Sequence, residues 1–196
     1  VDTLGRRVQN YEELRDAASL REAFEKLCAA ACAWETEKLA RRQARDASLA
    51  ALSFPFADYR AGQRRFAQNV YVAIRDRKRL FAQAPTGIGK TMAALYPALV
   101  ALREGRCARV LFLTARVTGR RSAADAVRRL ESCGAKVLAA ELTARDKVCL
   151  QEIRDCRPES CPYAKGFYDR LPGALLDAVH GGGLYDTARI AEMARK

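Results

Sequence analysis

An α/β domain with a parallel sheet is the fold class this sequence predicts, and three observations predict it. Short apolar runs at 80–83 (LFAQ), 109–114 (RVLFLT) and 136–142 (KVLAAEL) alternate with helical segments, a strand-helix-strand-helix-strand order. The first run opens directly onto the glycine-bearing loop APTGIGKT, which a helix follows. The second is a continuous apolar run, the texture of a parallel strand covered on both faces. A helical extension precedes this alternation and a cysteine-bearing segment follows it, so three parts are expected: 1–52, 53–143 and 144–196.

Residues 11–50 lack Pro and Gly, are rich in Ala, Leu, Glu and Arg, and read as one or two helices. Leu20, Phe24, Leu27, Ala31 and Trp34 share one helical face, which is expected to pack against something. Cys28 and Cys32 lie one turn apart on that helix, where two thiols could face a metal, but with no other ligand near in sequence they read as small apolar packers. At Ser53 the texture changes, and FPFADYRAGQ brings aromatics, a Pro and a Gly that end the helix and open a new domain. Residues 64–74 read as a helix with the basic exit Arg75, Arg77, Lys78 and Arg79. The next helix spans 90–104, with Pro97 inside it as an expected kink. A third helix runs over about 122–133 and closes at Gly134.

Composition bounds the function. The chain has 196 residues, with 35 Lys and Arg against 23 Asp and Glu, a net charge of +12, seven Cys and one His. A single His excludes chemistries that need several, such as HExxH proteases and Cys2His2 fingers. No run approaches the roughly 18 to 20 apolar residues of a membrane helix, and no secretory h-region opens the chain, so a cytoplasmic protein is expected. The odd cysteine count then points to thiols, a metal or a cluster rather than a disulfide framework. Residues 1–52 carry nine basic and nine acidic side chains, which leaves the entire basic excess in 53–196. Arg supplies 27 of the 35 basic residues, and its planar fork grips phosphates bidentately. A polyanionic partner is the inference, set against a merely solvated Arg-rich surface.

Ala84, Pro85, Thr86, Gly87, Ile88, Gly89, Lys90 and Thr91 carry the strongest chemistry. Glycines let backbone N–H groups converge on a triphosphate, and the helix N-terminus behind them favours an anion. Lys90 is placed to reach the β and γ phosphates of ATP, and the Thr91 hydroxyl to hold Mg2+. Ala84 stands where the strict pattern has Gly. Hydrolysis needs a further carboxylate for Mg2+ and a glutamate to activate water, and no apolar strand here ends in Asp-Glu. LLDAVH, at 175–180, puts Val179 where the base should be and is rejected as the catalytic box. As written, the chain is expected to bind nucleotide but not to hydrolyse it alone.

Two further sites are read from position and spacing. TARVTGRR follows the 109–114 run, where an open α/β sheet presents its ligand loops, and its hydroxyls and Arg suit a phosphodiester backbone. Cys149, Cys156 and Cys161 stand in the pattern C-x6-C-x4-C. That spacing lacks the paired C-x2-C of structural zinc and fits three of the four ligands of an iron-sulfur cluster, with unrelated thiols or a Cys3His zinc site completed by His180 as the other readings.

Taken in order, these pieces resemble the start of the iron-sulfur helicases of superfamily 2, the XPD/DinG group. FPFADYRAGQ resembles that group's Q motif, in which Arg60 and Gln63 help recognise adenine. APTGIGKT matches its motif I, Ala84 included. LFLTARVTGR resembles its motif Ia, which implies single-stranded DNA contacts at Thr114, Ala115, Arg116 and Arg120. LTARDKVCL and CPYAKGFYD resemble the segments that carry the first and third ligands of a [4Fe-4S] cluster, which assigns Cys149, Cys156 and Cys161 and leaves His180 a loop residue. The resemblance spans 54–196, and residues 1–52 are similar to the helical lead-in of bacterial members bearing a nuclease-like domain.

What the resemblance implies is a partial RecA-like motor lobe with most of an iron-sulfur insertion, from an ATP-dependent DNA helicase that moves 5′ to 3′, with Lys90 and Thr91 as its catalytic residues here. The implied ligands are ATP, Mg2+ and the cluster, and the implied partners are single-stranded and forked DNA, a second RecA-like lobe and a possible N-terminal nuclease-like domain. DNA repair and a nucleoid association in a bacterium belong to the same expectation. The fourth cysteine and the DEAH box are expected past residue 196, so the chain reads as a piece of a longer protein. The rival readings are another P-loop NTPase or kinase, and a non-catalytic zinc-stabilised DNA-binding module.

Overall fold

The computed structural model describes residues 12–195. Residues 1–11 of the expected N-terminal extension, and Lys196, lie outside them. The chain forms two compact units, one up to Gln43 and one from Ala44. In order, the elements are α1 (Ala17–Ala50), α2 (Gln63–Arg75), α3 (Lys90–Arg103), α4 (Val117–Ser132), β1 (Leu138–Ala140), α5 (Arg145–Val148), α6 (Phe167–Gly181), β2 (Gly183–Tyr185) and α7 (Thr187–Arg195).

The first unit is helical through local forces. Its Ala, Leu, Glu and Lys content favours helix, and Asp16 starts it by accepting from the Ser19 N–H at 2.7 Å. That bond holds the Asp16 carboxyl below its ordinary range. Lys26–Glu22 and Arg41–Glu37 pairs, four residues apart, lie along the helix. The packing expected of its apolar face is not found within this unit. Leu20, Phe24 and Leu27 are 54%, 67% and 71% exposed, because the unit's described residues contain one helix and no second element to meet it. Cys28 and Cys32, read as packers, are exposed for the same reason.

In the second unit α2, α3 and α4 form where the apolar periodicity places them, with α4 beginning five residues earlier than read. Leu49, Met92, Leu95, Ala126, Leu130, Ala135 and Val137 make the core, and Leu52, Phe54, Tyr96, Leu99, Val110 and Val127 pack around it. Pro97 sits inside α3, as the sequence requires.

The parallel sheet is much smaller than expected. Among the described residues it consists of β1 and β2, parallel, with Leu138 opposite Gly183 and Ala140 opposite Tyr185. The run 136–142 therefore does supply a strand. The runs 80–83 and 109–114 form no ladder, which corrects the expectation of strands there. Apolar composition reports a preference for burial, whereas a strand exists only when a neighbour takes up its N–H and C=O groups. No such neighbour lies alongside either run among the described residues, and Phe81 and Leu113 stay 93% and 89% exposed, while Val110 packs on the core. The partner of β1 comes instead from the cysteine-bearing segment, where α6 and α7 flank β2. Leu175 to His180, rejected above as a catalytic box, lies within α6, so His180 is a helical residue and not a loop residue.

Candidate functional site

The glycine-bearing loop and the aromatic segment before α2 meet at the N-terminal end of α3. Gly87 and Gly89 have φ of 85° and 79°, a left-handed backbone that disfavours other residues. These two turns bring the chain from residue 84 to the start of α3, whose first N–H groups have no intrahelical acceptor. Lys90 folds over the loop and its Nζ donates to the carbonyls of Ala84 at 3.0 Å and Pro85 at 2.7 Å. Its ammonium is thus already placed above the loop that an anion would enter. Thr91 is half-buried in the first turn.

Gln63 is the buried polar residue of this region, only 3% exposed. Its Oε1 accepts from the Arg60 N–H at 3.0 Å, and its Nε2 donates to the Gly89 carbonyl at 3.2 Å. That carbonyl also accepts from the Ala93 N–H at 3.1 Å. Gly89 must lack a Cβ for this fit, since one would overlap Gln63 Nε2. The Arg60 guanidinium donates to the Gly87 carbonyl. Residues 26 and 27 positions apart in sequence are thus joined by two side chains that the sequence singles out.

Aromatic stacking supports this loop. Phe54 lies on Tyr59 at 3.8 Å with the rings 15° apart, and meets the edge of Tyr96 at 5.5 Å. Tyr96 donates its hydroxyl to the Leu52 carbonyl. Sequence reasoning missed Arg129, which donates from Nε and Nη2 to the Pro55 carbonyl at 3.3 and 3.2 Å. No local signal marks it, because its partner is 74 residues away.

The residues expected to meet DNA open helix α4. Thr114, Ala115 and Arg116 are exposed, and the Thr114 hydroxyl accepts from the Arg116 N–H at 3.3 Å. Gly119 lets the helix approach that hydroxyl, which a Cβ would overlap. Arg120 is half-buried, paired with Glu141 at 2.7 Å and donating to Thr143 Oγ1 at 3.0 Å. It braces α4 on the loop after β1, so its charge is already in use.

The cysteines do not assemble. Cys149 is half-buried, Cys156 exposed and Cys161 buried, all as free thiols. Among the described residues no three His, Cys, Asp or Glu side chains are grouped as metal ligands. The donor set in this arrangement does not fit an iron-sulfur cluster or a zinc ion. Asp155, between the first two cysteines, is instead bound to the Arg157 guanidinium, which holds its carboxyl far below the usual range.

A glycine-turned loop before a helix N-terminus, crossed by a lysine, defines a P-loop nucleotide-binding protein. Residues 60–158, just over half of the chain, match the DEAD/DEAH box helicase family, and the chain belongs to it. The matched span begins at Arg60 and takes in the loop. A probable ATP-dependent helicase of Methanocaldococcus jannaschii is 39% identical over 61 residues, which is 31% of this chain and 9% of that relative's length. No solved structure matches the chain. No helix among the described residues is long and apolar enough to cross a membrane.

Proposed function

We propose that this chain is the nucleotide-binding part of an ATP-dependent DNA helicase. The observation that carries the reading is the bridge made by Gln63, which ties the Arg60 backbone to the Gly89 carbonyl of the loop. A base-side segment and a phosphate-side loop held together in this way form one site for a nucleotide. The triphosphate lies on residues 87–91, where Lys90 exchanges its two carbonyl acceptors for phosphate oxygens and neutralises their charge. Thr91 is the residue that would hold Mg2+, an ion that offsets charge on the β and γ phosphates when bound. Arg60 and Gln63 border the base side, the role their motif resemblance gives them, with the Gln63 amide held between the Arg60 N–H and the Gly89 carbonyl. The DNA strand crosses Thr114, Ala115 and Arg116, where an exposed hydroxyl and guanidinium suit a phosphodiester chain.

DNA as the substrate, movement 5′ to 3′ and the iron-sulfur subtype rest on the ordered motifs of the sequence. The thiol arrangement lends the cluster no support, and no step runs through one. The residue that activates water is not among those of this site. ATP hydrolysis by the full-length protein, with and without single-stranded DNA, tests the reading. DNA-stimulated hydrolysis that Lys90→Ala lowers by about a hundredfold or more supports it. Hydrolysis that survives the substitution contradicts it. Strand displacement on duplexes with a 5′ or a 3′ tail decides the direction. Iron and sulfide in anaerobically purified protein would support the cluster, and zinc or no metal would count against it.

A further inference from the structure

Arg129 makes a contact that none of the sequence motifs marks. Its guanidinium makes two hydrogen bonds to one carbonyl, that of buried Pro55, and its Cζ lies 5.5 Å from the centroid of the Phe56 ring. Two donors from one planar fork and a face over an aromatic ring are an arrangement that Arg makes and Lys does not. From Pro55 the path to the site is short. Phe54 stacks on Tyr59, Tyr59 precedes Arg60, and Arg60 binds both Gln63 and the Gly87 carbonyl.

The other side of the anchor is rigid. Arg129 stands in the last turn of α4, next to Leu130, which is fully buried and shares the core with Met92 and Leu95 of α3. Helix α3 begins at Lys90 of the loop. The base-side segment is therefore held from two directions, by Gln63 and Arg60 at the loop and by Arg129 from the helix behind it. Without Arg129, the Pro55 carbonyl loses both of these donors, and that end of the segment is held only by the packing of Phe54 on Tyr96 and the core.

We infer that Arg129 is a positioning residue for the base of the bound nucleotide. It sets the place of residues 54–60, and through them the selectivity of Arg60 and Gln63 for one base over another. The inference rests on the nucleotide-site reading above, and its test separates the two. DNA-stimulated hydrolysis of ATP and GTP is measured in the full-length protein for wild type, Arg129→Ala and Arg129→Lys, with thermal unfolding of each.

Arg129→Ala is expected to raise KM for ATP by about tenfold with kcat little changed, and to shrink the ATP-to-GTP preference by a similar factor. Arg129→Lys, which keeps the charge and one donor, is expected to fall between Ala and wild type and to remain folded should the Ala variant not. An unchanged ATP-to-GTP preference in a folded variant overturns the inference while leaving the nucleotide site in place. A role in stability alone would move the unfolding temperature and not the base preference. A wild-type protein without Lys90-dependent ATP hydrolysis overturns the site reading, and this inference with it.

Discussion

Single residues in the loop carry geometric demands that substitution can test. Gly89 combines φ of 79° with a missing Cβ that Gln63 Nε2 would otherwise overlap. Gly89→Ala is expected to cost about 1 to 3 kcal/mol of stability and to weaken ATP binding, as read by denaturant unfolding and by titration. Retention of both would show that the Gln63 bridge is dispensable. The type and order of residues 84–91 made this loop legible in sequence, because phosphate recognition requires glycine, lysine and a hydroxyl at short fixed spacing. Gln63 and Arg60 were legible only through resemblance. Their bonds to Gly89 and Gly87 depend on how two segments pack, which no local pattern records. Arg129 was not legible at all, since nothing around it distinguishes an anchor from any other helical Arg.

Helices formed where periodicity was strong, whereas of the three apolar runs read as strands only 136–142 found a pairing partner among the described residues. Helices α2 and α3 follow directly from their apolar spacing, as local hydrogen bonds suffice to build them. The runs 80–83 and 109–114 read equally well as strands, yet a ladder is a property of two segments, and neither run is paired among the described residues. Their amides are accordingly expected to exchange with solvent quickly, in contrast to those of β1 and β2, when native-state hydrogen exchange is followed. Protection of 109–114 as strong as that of the helices would contradict the unpaired arrangement.

Helix α7 offers a pH test at the same scale. Asp186 caps it by accepting from the Arg189 N–H at 3.0 Å, and it also pairs with Arg128 at 2.6 Å. The Arg189 N–H bond and then the Arg128 guanidinium hold the Asp186 carboxyl below its ordinary 3.8, against the opposing effect of desolvation. A depressed carboxylate stabilises fully above the unfolded value, and that stabilisation is lost as pH falls through the lower folded value. Asp186→Ala is therefore expected to cost about 1 kcal/mol near neutral pH through the lost cap, and the difference from wild type should fade in acid below the folded value. A gap that persisted unchanged there would assign the effect to packing rather than charge.

For the whole molecule, the core and the charge tell different stories. The core of the second unit is small and depends on few large side chains, Leu130 being the one large side chain that is fully buried among the described residues. Leu130→Ala is expected to remove about 2 to 5 kcal/mol, enough to unfold a domain of marginal stability, and a smaller loss would mean that the site collapses around the gap. The net charge of +12 was informative once located, since its excess lies wholly in the residues that hold the loop and the start of α4. Spacing suggested a cysteine centre as well, but spacing does not bring thiols together, and here they stay apart.

The central claim is that the loop at 84–91 and the segment at 60–63 form one nucleotide site. Calorimetric titration of Mg-ATP into the protein, wild type beside Lys90→Ala, tests it most directly. The geometry predicts saturable binding of one nucleotide per chain, weakened by about tenfold or more in the variant. Equal binding by the two proteins, or none by the wild type, would contradict it.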